Sequence, residues 1–142
     1  MSDIIHHECG VALIRLLKPL DYYKTKYGSA RYGLHKLYQI MEKMINRGQD
    51  GAGVATIKFD VPPGTTYLDR MRSIKPKATQ DIFGNINNAF VEAQKNFPEL
   101  YTDANWQKEN IPFLGELLLG HLRYGTFGKN TIASCHPFKR QN

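Results

Sequence analysis

Cys9 is the residue of this 142-residue chain best placed for covalent chemistry. It lies in the segment His7-Glu8-Cys9-Gly10-Val11, at the start of an apolar run. A thiol is a strong nucleophile only as the thiolate, so it needs a base or a lowered pKa. At the first position of a mature chain its own α-amine, with a typical pKa of about 7.7–8, supplies that base. This hypothesis requires removal of residues 1–8, and the alternative is a buried cysteine that opens a strand.

A second segment, Asn46-Arg47-Gly48-Gln49-Asp50-Gly51-Ala52-Gly53-Val54, holds three glycines within six residues. Glycine lets the backbone turn tightly or approach another segment closely. The glycines are not ordered as in a dinucleotide-binding fingerprint, and they follow a predicted helix instead of opening one. By itself the pattern favours a connection between a helix and a strand.

The third segment is Gly120-His121-Leu122-Arg123-Tyr124-Gly125-Thr126-Phe127-Gly128. It lacks the lysine and hydroxyl pair of a phosphate-binding loop. The planar guanidinium of Arg123 can hold a carboxylate through two parallel hydrogen bonds. We therefore expect a clamp for an amino-acid carboxylate here, and the alternative is an ordinary surface arginine near a turn.

The elements that must position these segments follow from hydrophobic periodicity. Apolar residues at three- and four-residue spacing predict helices over residues 30–46 and about 80–97. Short apolar runs predict strands over residues 9–17, 52–59 and 114–124. Thr79 or Asp81 should lie near the start of the second helix. Residues 21–28 should break the first run, and residues 98–112 read as a loop. The order allows either parallel crossover units or a layered α+β domain.

The composition is typical of a globular protein, with 42% hydrophobic and 23% charged residues. No run approaches the roughly 18–20 apolar residues of a membrane span, and the amino terminus lacks a secretory signal. We therefore expect a cytoplasmic protein with no membrane partner. The net charge is +6, but no block of five or six like charges occurs, so no nucleic-acid partner is predicted.

Two groups of potential metal ligands are visible in the sequence. One is His6-His7-Glu8-Cys9 and the other is Cys135-His136. Neither has the paired spacing of a structural zinc site. No metal site is predicted, and Cys135 is interpreted as a buried thiol.

In this order the three segments resemble the class II glutamine amidotransferases. The start is similar to that family's Cys-Gly-(Val/Ile) amino terminus. Arg47-Gly48-Gln49-Asp50-Gly51-Ala52-Gly53 is similar to its Arg-Gly-Gln-Asp-(Ser/Ala)-Ala-Gly motif, and Gly120-His121-Leu122-Arg123-Tyr124-Gly125-Thr126 to its Gly-His-x-Arg-Tyr-x-Thr motif. His136-Pro137-Phe138 is similar to a later Gln-Pro-Phe. The Arg-Gly-Gln-Asp form is closest to the amidophosphoribosyltransferases of purine synthesis.

The resemblance implies an α+β fold: a four-layer αββα N-terminal-nucleophile hydrolase sandwich, of which this chain carries the N-terminal portion. Cys9 would attack the side-chain amide of glutamine and release ammonia. Arg47 and Gly48 would lie beside the nucleophile. The α-carboxylate of glutamine would be bound by Arg123 and Thr126, with Tyr124 between them.

The resemblance also implies a division of the chain. Residues 1–8 would be a leader removed by autocatalytic processing, and residues 9–142 the front of the amidotransferase domain, with an expanded insert at about 65–109. The family's later Asn-Gly pair, which forms the oxyanion hole, and an aspartate that binds the substrate amine are expected beyond Asn142. This piece alone is therefore expected to be inactive. Asn46 stands where histidine is common, and His136 where glutamine is usual.

The implied function is glutamine hydrolysis that supplies ammonia to an acceptor. The expected acceptor is phosphoribosyl pyrophosphate, bound by a further domain of a homo-oligomeric enzyme. No cofactor is expected within this chain; a magnesium ion or an iron–sulfur cluster would belong to the part beyond it. The alternative is a non-catalytic regulatory or interaction module that keeps the amidotransferase fold.

Overall fold

The computed structural model describes residues 8–47, 49–125 and 130–140. The strands in these ranges are β1 Gly10–Arg15, β2 Gly51–Ile57, β3 Leu68–Ser73 and β4 Leu117–Arg123. The helices are α1 Leu20–Tyr27, α2 Tyr32–Lys43, α3 Ala78–Asn96 and α4 Ala104–Asn110. Short 3-10 turns occupy Ile45–Arg47, Leu100–Thr102 and Ile132–Ser134.

The four strands form one sheet in the order β1-β4-β2-β3, and every neighbouring pair is antiparallel. This arrangement excludes parallel crossover units among these strands and leaves the layered α+β class. Strand β4, the last of these strands along the chain, lies between the first two, β1 and β2. The segment 65–109 supplies the edge strand β3, whose six residues all pair with β2.

One face of the sheet is covered by α2 and α3. Side chains of alternate sheet positions, among them Ala12, Leu118 and Leu122, are buried there. They share a single cluster with the apolar stripes of the two helices: Leu34, Leu37, Met41, Ile82, Ile86 and Phe90. Helix and sheet approach closely at Gly120, where a Cβ atom would lie only 2.6 Å from Met41 Sδ.

The other face of the sheet is partly open. Val11 and Leu13 of β1 point to this side and are 62% and 65% exposed. The β2 and β3 side of the same face is covered by residues 130–140, which we call the strap. The contact is tight, because a Cβ atom on Gly53 would lie 1.7 Å from the carbonyl oxygen of His136.

Three elements differ from the sequence-based expectation. Residues 21–28 do not simply break the first strand; most of them form α1, which Leu20 anchors in the core and Gly28 ends at a left-handed φ of 83°. The predicted loop 98–112 contains α4, where the Asp103 side chain accepts a hydrogen bond from the Trp106 amide at 3.0 Å. Strand β3 was not predicted, because its sequence is largely polar.

Thr79 and Asp81 both lie near the start of α3, as expected, although neither is the N-cap residue of the helix. It begins at Ala78 after Lys77, which has a left-handed backbone with φ 58° and makes no side-chain cap. Thr79 lies inside the first turn and is buried. The predicted helix over 30–46 corresponds to α2 and the following 3-10 turn, which ends at Arg47.

Candidate functional site

The three predicted segments meet at one end of the sheet. Strands β1 and β2 both flank β4 and run opposite to it. Their amino-terminal ends therefore lie beside the carboxyl-terminal end of β4. The first segment enters β1, the second enters β2, and the third leaves β4. Antiparallel pairing thus brings together residues that are about 40 to 115 positions apart in the chain.

Cys9 is exposed and immediately precedes β1. Its Sγ accepts a hydrogen bond from the Tyr124 amide at 3.4 Å and lies 3.8 Å from the Tyr124 carbonyl oxygen, to which the thiol donates. Because Gly10 pairs with Leu122, continuing the register places Cys9 opposite Arg123. Side chains alternate along a strand, so these two belong to the same, partly open face.

Arg123 is the last residue of β4 and is only 7% exposed. Its Nη1 donates a hydrogen bond to Asn130 Oδ1 at 3.0 Å. This contact ties the guanidinium to the start of the strap. Arg123 is therefore not the ordinary surface arginine of the alternative interpretation. Its buried guanidinium is held in a fixed orientation at the end of the strand.

Asp50 links the second and third segments directly. Its amide donates to the Arg123 carbonyl at 3.0 Å, and its carboxylate accepts from the Gly125 amide at 2.7 Å. A hydrogen bond to a charged acceptor is stronger than one between neutral groups. Asp50 therefore fixes the turn that follows Arg123. The sequence motif contains Asp50 but does not by itself reveal this role.

The remaining predicted site residues are only partly placed. The backbone of Arg47 ends the 3-10 turn Ile45–Arg47, next to the start of β2; its side chain lies outside the described residues, as do Gly48 and Thr126. Tyr124 is 36% exposed, and its backbone carries both contacts to Cys9. Cys9, Arg123 and Tyr124 are therefore brought together.

The strap explains the glycines of the second segment. A Cβ atom on Gly51 would lie 2.6 Å from Cys135 Sγ, and Gly53 faces the His136 carbonyl. From β3, Arg72 Nη1 donates to the Cys135 carbonyl at 3.0 Å and Arg70 to the Pro137 carbonyl at 3.4 Å. Only hydrogen side chains at the two glycines allow the strap to lie flat on the sheet.

His121 lies under the strap, two residues before Arg123. It is 7% exposed, and its ring centroid is 4.7 Å from that of His136. Its buried Nδ1 has no hydrogen-bond partner within the described part of the chain. Burial lowers the pKa of His121, and the electrostatic effect of His136 and Arg123 lowers it further. The imidazole is therefore neutral at neutral pH and adds no charge beside the guanidinium.

Cys135 is buried, as predicted, with its Sγ 3.8 Å from the Thr131 carbonyl. Residues 8–47, 49–125 and 130–140 contain no group of three histidine, cysteine or acidic side chains placed to hold a metal ion. His6 and His7 of the first ligand group lie outside these ranges.

A cavity of about 520 Å³ lies next to the junction of the segments. It is bounded by Asp50, Gly51 and Asn130 on one side and by the 74–79 connection to α3 on the other. Neither Cys9 nor Arg123 lines it. The Cys9 thiol therefore faces the partly open side of the sheet and not this cavity.

Comparison with protein-family models, with curated proteins and with solved structures returned no match. Within the part of the chain that the structure describes, no helix has the length and apolar character to cross a bilayer. A functional assignment therefore depends on the residues of this site and their arrangement.

Proposed function

We propose that this chain is the front part of a glutaminase domain of a glutamine amidotransferase, with Cys9 as the nucleophile. The observation that carries the proposal is the junction of Cys9, Asp50 and Arg123 at one sheet end. A buried guanidinium beside an accessible thiol suits an amino acid whose carboxylate is bound while another part of it reacts. The class II motif resemblance supports the same chemistry.

The proposed reaction starts once residues 1–8 are removed and Cys9 has a free α-amine. That amine takes the thiol proton, and the thiolate attacks the side-chain amide carbon of glutamine. The C–N bond breaks and ammonia leaves with the transferred proton. The γ-glutamyl thioester that forms is then hydrolysed by water, which releases glutamate and regenerates the thiol.

Arg123 would bind the α-carboxylate of glutamine, with Thr126 as a second ligand and Tyr124 between them. Asn130 and Asp50 hold this end of β4 from two sides, at 3.0 Å from the guanidinium and 2.7 Å from the Gly125 amide. Fixing a binding group before the substrate arrives reduces the ordering cost of binding. Arg47 and Gly48 would complete the wall next to the nucleophile.

The fold proposed for the domain is the αββα sandwich. The helix layer and one sheet are the α and β layers that these residues supply. Val11 and Leu13 leave an apolar surface on the opposite face, as a sheet does when a second sheet is to pack on it. Cys9 would then lie at the edge of the interface between the two sheets.

The wider activity is part of the same proposal. Ammonia would be transferred to phosphoribosyl pyrophosphate bound by another domain, in a cytoplasmic homo-oligomer. No cofactor is assigned to residues 1–142. Any magnesium ion or iron–sulfur cluster would be held elsewhere in the protein.

The test is a glutamate-release assay on the full-length protein, with Cys9→Ala and Cys9→Ser compared to wild type. We expect both substitutions to abolish glutamine hydrolysis, because each removes the thiolate. Ammonia-dependent transfer should remain in both, since it does not use this site. A Cys135→Ala variant is the matched control and should keep glutaminase activity if it folds.

The outcome also separates the enzyme from the non-catalytic alternative. Intact-mass measurement shows whether the mature chain starts at Met1 or Cys9. An enzyme must expose the Cys9 amine, so an uncleavable leader should be nearly as damaging as alanine. A protein that keeps its leader and hydrolyses no glutamine would instead be a regulatory or interaction module.

A further inference from the structure

A cluster of tyrosine rings lies on the surface of α1 and the start of α2. We call Tyr22, Tyr23, Lys26, Tyr27, Tyr32 and Lys36 the tyrosine–lysine surface. The rings of Tyr23, Tyr27 and Tyr32 are mutually stacked, with centroid separations of 4.3 to 6.2 Å. Tyr22 meets Tyr23 edge to face at 5.3 Å. Tyr22 and Tyr27 remain 40% and 50% exposed, so the cluster is not simply internal packing.

Lysine ammonium groups surround these rings. Lys26 Nζ lies 5.6 Å from the centroid of Tyr22 and 5.4 Å from that of Tyr27. Lys36 lies 5.5 Å from the Tyr32 ring, and Lys18 lies 5.9 Å from the Tyr22 ring. Lys26 also donates a hydrogen bond to Tyr22 Oη at 3.2 Å, which raises the pKa of the lysine. The surface therefore carries positive charge held in place by rigid aromatic rings.

The lysines around the rings form no ion pair in the described part of the chain. In the described ranges, no carboxylate lies within 4.0 Å of Lys18, Lys26 or Lys36, whereas Lys58, Lys75 and Lys108 each have an acidic partner. Exposed tyrosines are a preferred residue type in protein interfaces, since they bury a large rigid area at small entropic cost. A cationic surface whose lysines form no ion pair, set among such rings, is suited to an anionic partner.

We propose that the tyrosine–lysine surface docks an acidic segment of a partner protein. Single-stranded nucleic acid is the competing occupant, but it binds by stacking its bases on open aromatic faces. Here the faces of Tyr23, Tyr27 and Tyr32 are stacked on one another, and ammonium groups lie over Tyr22 and Tyr27. Carboxylates need no open ring face, because they pair with the lysines around the rings. The inference does not depend on the glutaminase proposal.

The experiment measures fluorescence anisotropy of a labelled decaglutamate peptide titrated with the whole protein. We expect binding that weakens as salt is raised. In the Lys26→Gln/Lys36→Gln double variant the affinity should fall on the order of three- to thirty-fold, the effect of losing two exposed ion pairs. A Tyr27→Leu variant should also bind more weakly, because it removes the ring that positions Lys26.

The matched control is Lys43→Gln/Lys95→Gln, which removes the same charge from the last turns of α2 and α3. It should bind decaglutamate as wild type does, and decaglutamine should not bind at all. Thermal melting shows that each variant is folded. No binding of decaglutamate, equal loss in both double variants, or tighter binding of a ten-nucleotide oligothymidylate would each overturn the proposal.

Discussion

At the scale of single residues, the site is defined by a few contacts that cross the chain. Cys9 touches the Tyr124 backbone, and Asp50 bonds both the Arg123 carbonyl and the Gly125 amide. These contacts hold the backbone at the end of β4 next to Cys9, and Asn130 holds the guanidinium itself. In the proposed mechanism Cys9 attacks the substrate amide and Arg123 binds the substrate carboxylate. Asp50 fixes the turn that follows Arg123.

The Arg123 assignment predicts a specific loss in the Arg123→Lys variant. Lysine keeps the charge but loses the planar fork that pairs with a carboxylate. We expect glutamine binding to weaken by about 1.5–3 kcal/mol, typical for hydrogen bonds to charged groups. The measurement is the glutamine KM of the full-length protein, with its ammonia-dependent activity as the control. A lysine variant with an unchanged glutamine KM would show that Arg123 does not bind the substrate.

At the scale of elements, the sheet and the strap position the site together. Antiparallel pairing of β1, β4 and β2 gathers the three motifs at one end. The strap closes over β2 because Gly51 and Gly53 leave room for its backbone. It also carries Asn130, which bonds Arg123 at 3.0 Å. A larger side chain at Gly51 or Gly53 should therefore displace the strap and, with it, the Asn130 contact to the guanidinium of Arg123.

Gly53→Ala tests this coupling. The added methyl would overlap the His136 carbonyl, so the strap must move, and we expect a loss of about 1–3 kcal/mol in unfolding free energy. Buried Cys135 should then react faster with a thiol reagent, measured by peptide mass spectrometry in a Cys9→Ala background, in which it is the one thiol left among residues 1–142.

Gly84→Ala is the matched control for that change. A Cβ atom there meets nothing within 4 Å. Gly84 lies inside α3, so alanine should stabilise the protein by about 0.5–1 kcal/mol and leave Cys135 unreactive. A Gly53→Ala protein with wild-type stability and thiol reactivity would mean that the strap does not depend on this approach.

The elements also show what the sequence allows one to predict. Helices α2 and α3 were predicted because their apolar stripes are long and regular. Helix α1 was missed because the burial of Leu20 in the core and the stacking of Tyr23 and Tyr27 on Tyr32 of α2 are contacts between elements. Strand β3 was missed because an edge strand with Asp69, Arg70 and Arg72 has no apolar pattern.

The candidate site likewise contains residues that the sequence predicts and residues that it does not. Cys9 and Arg123 were predicted from their chemistry and motif positions. The roles of Asp50, Asn130 and the strap could not be inferred, because they arise from pairing between distant segments.

At the scale of the whole molecule, one sheet divides the protein into a closed and an open side. The closed side holds the apolar core with α2 and α3. The open side holds Cys9, Arg123, His121 and the strap. On this side Cys9 is exposed, whereas Arg123 and His121 are buried.

This division predicts a pH dependence of stability through His121. Burial lowers the pKa of His121 in the folded protein, whereas a histidine in the unfolded chain has a pKa of about 6.5. Below about pH 6.5 the unfolded chain therefore binds more protons than the folded protein. Stability is therefore full above about pH 6.5 and falls as the pH drops towards the lowered folded pKa. Urea unfolding at about pH 7 and pH 5 should show that the unfolding free energy falls less on acidification in His121→Gln than in wild type.

His35 also has a pKa lowered by burial and by Arg31, but it is present in both proteins, so its contribution cancels in the comparison. An equal fall in unfolding free energy on acidification in wild type and His121→Gln would show that burial of His121 does not disfavour its protonation.

The most direct test of the central claim is covalent labelling of the mature full-length protein with a glutamine analogue. The analogue carries an electrophilic diazo ketone in place of the side-chain amide, and peptide mass spectrometry locates the adduct. We predict one adduct, on Cys9, that excess glutamine suppresses and that the Arg123→Lys variant forms more slowly. An unlabelled Cys9, or labelling that glutamine does not suppress, would contradict the account.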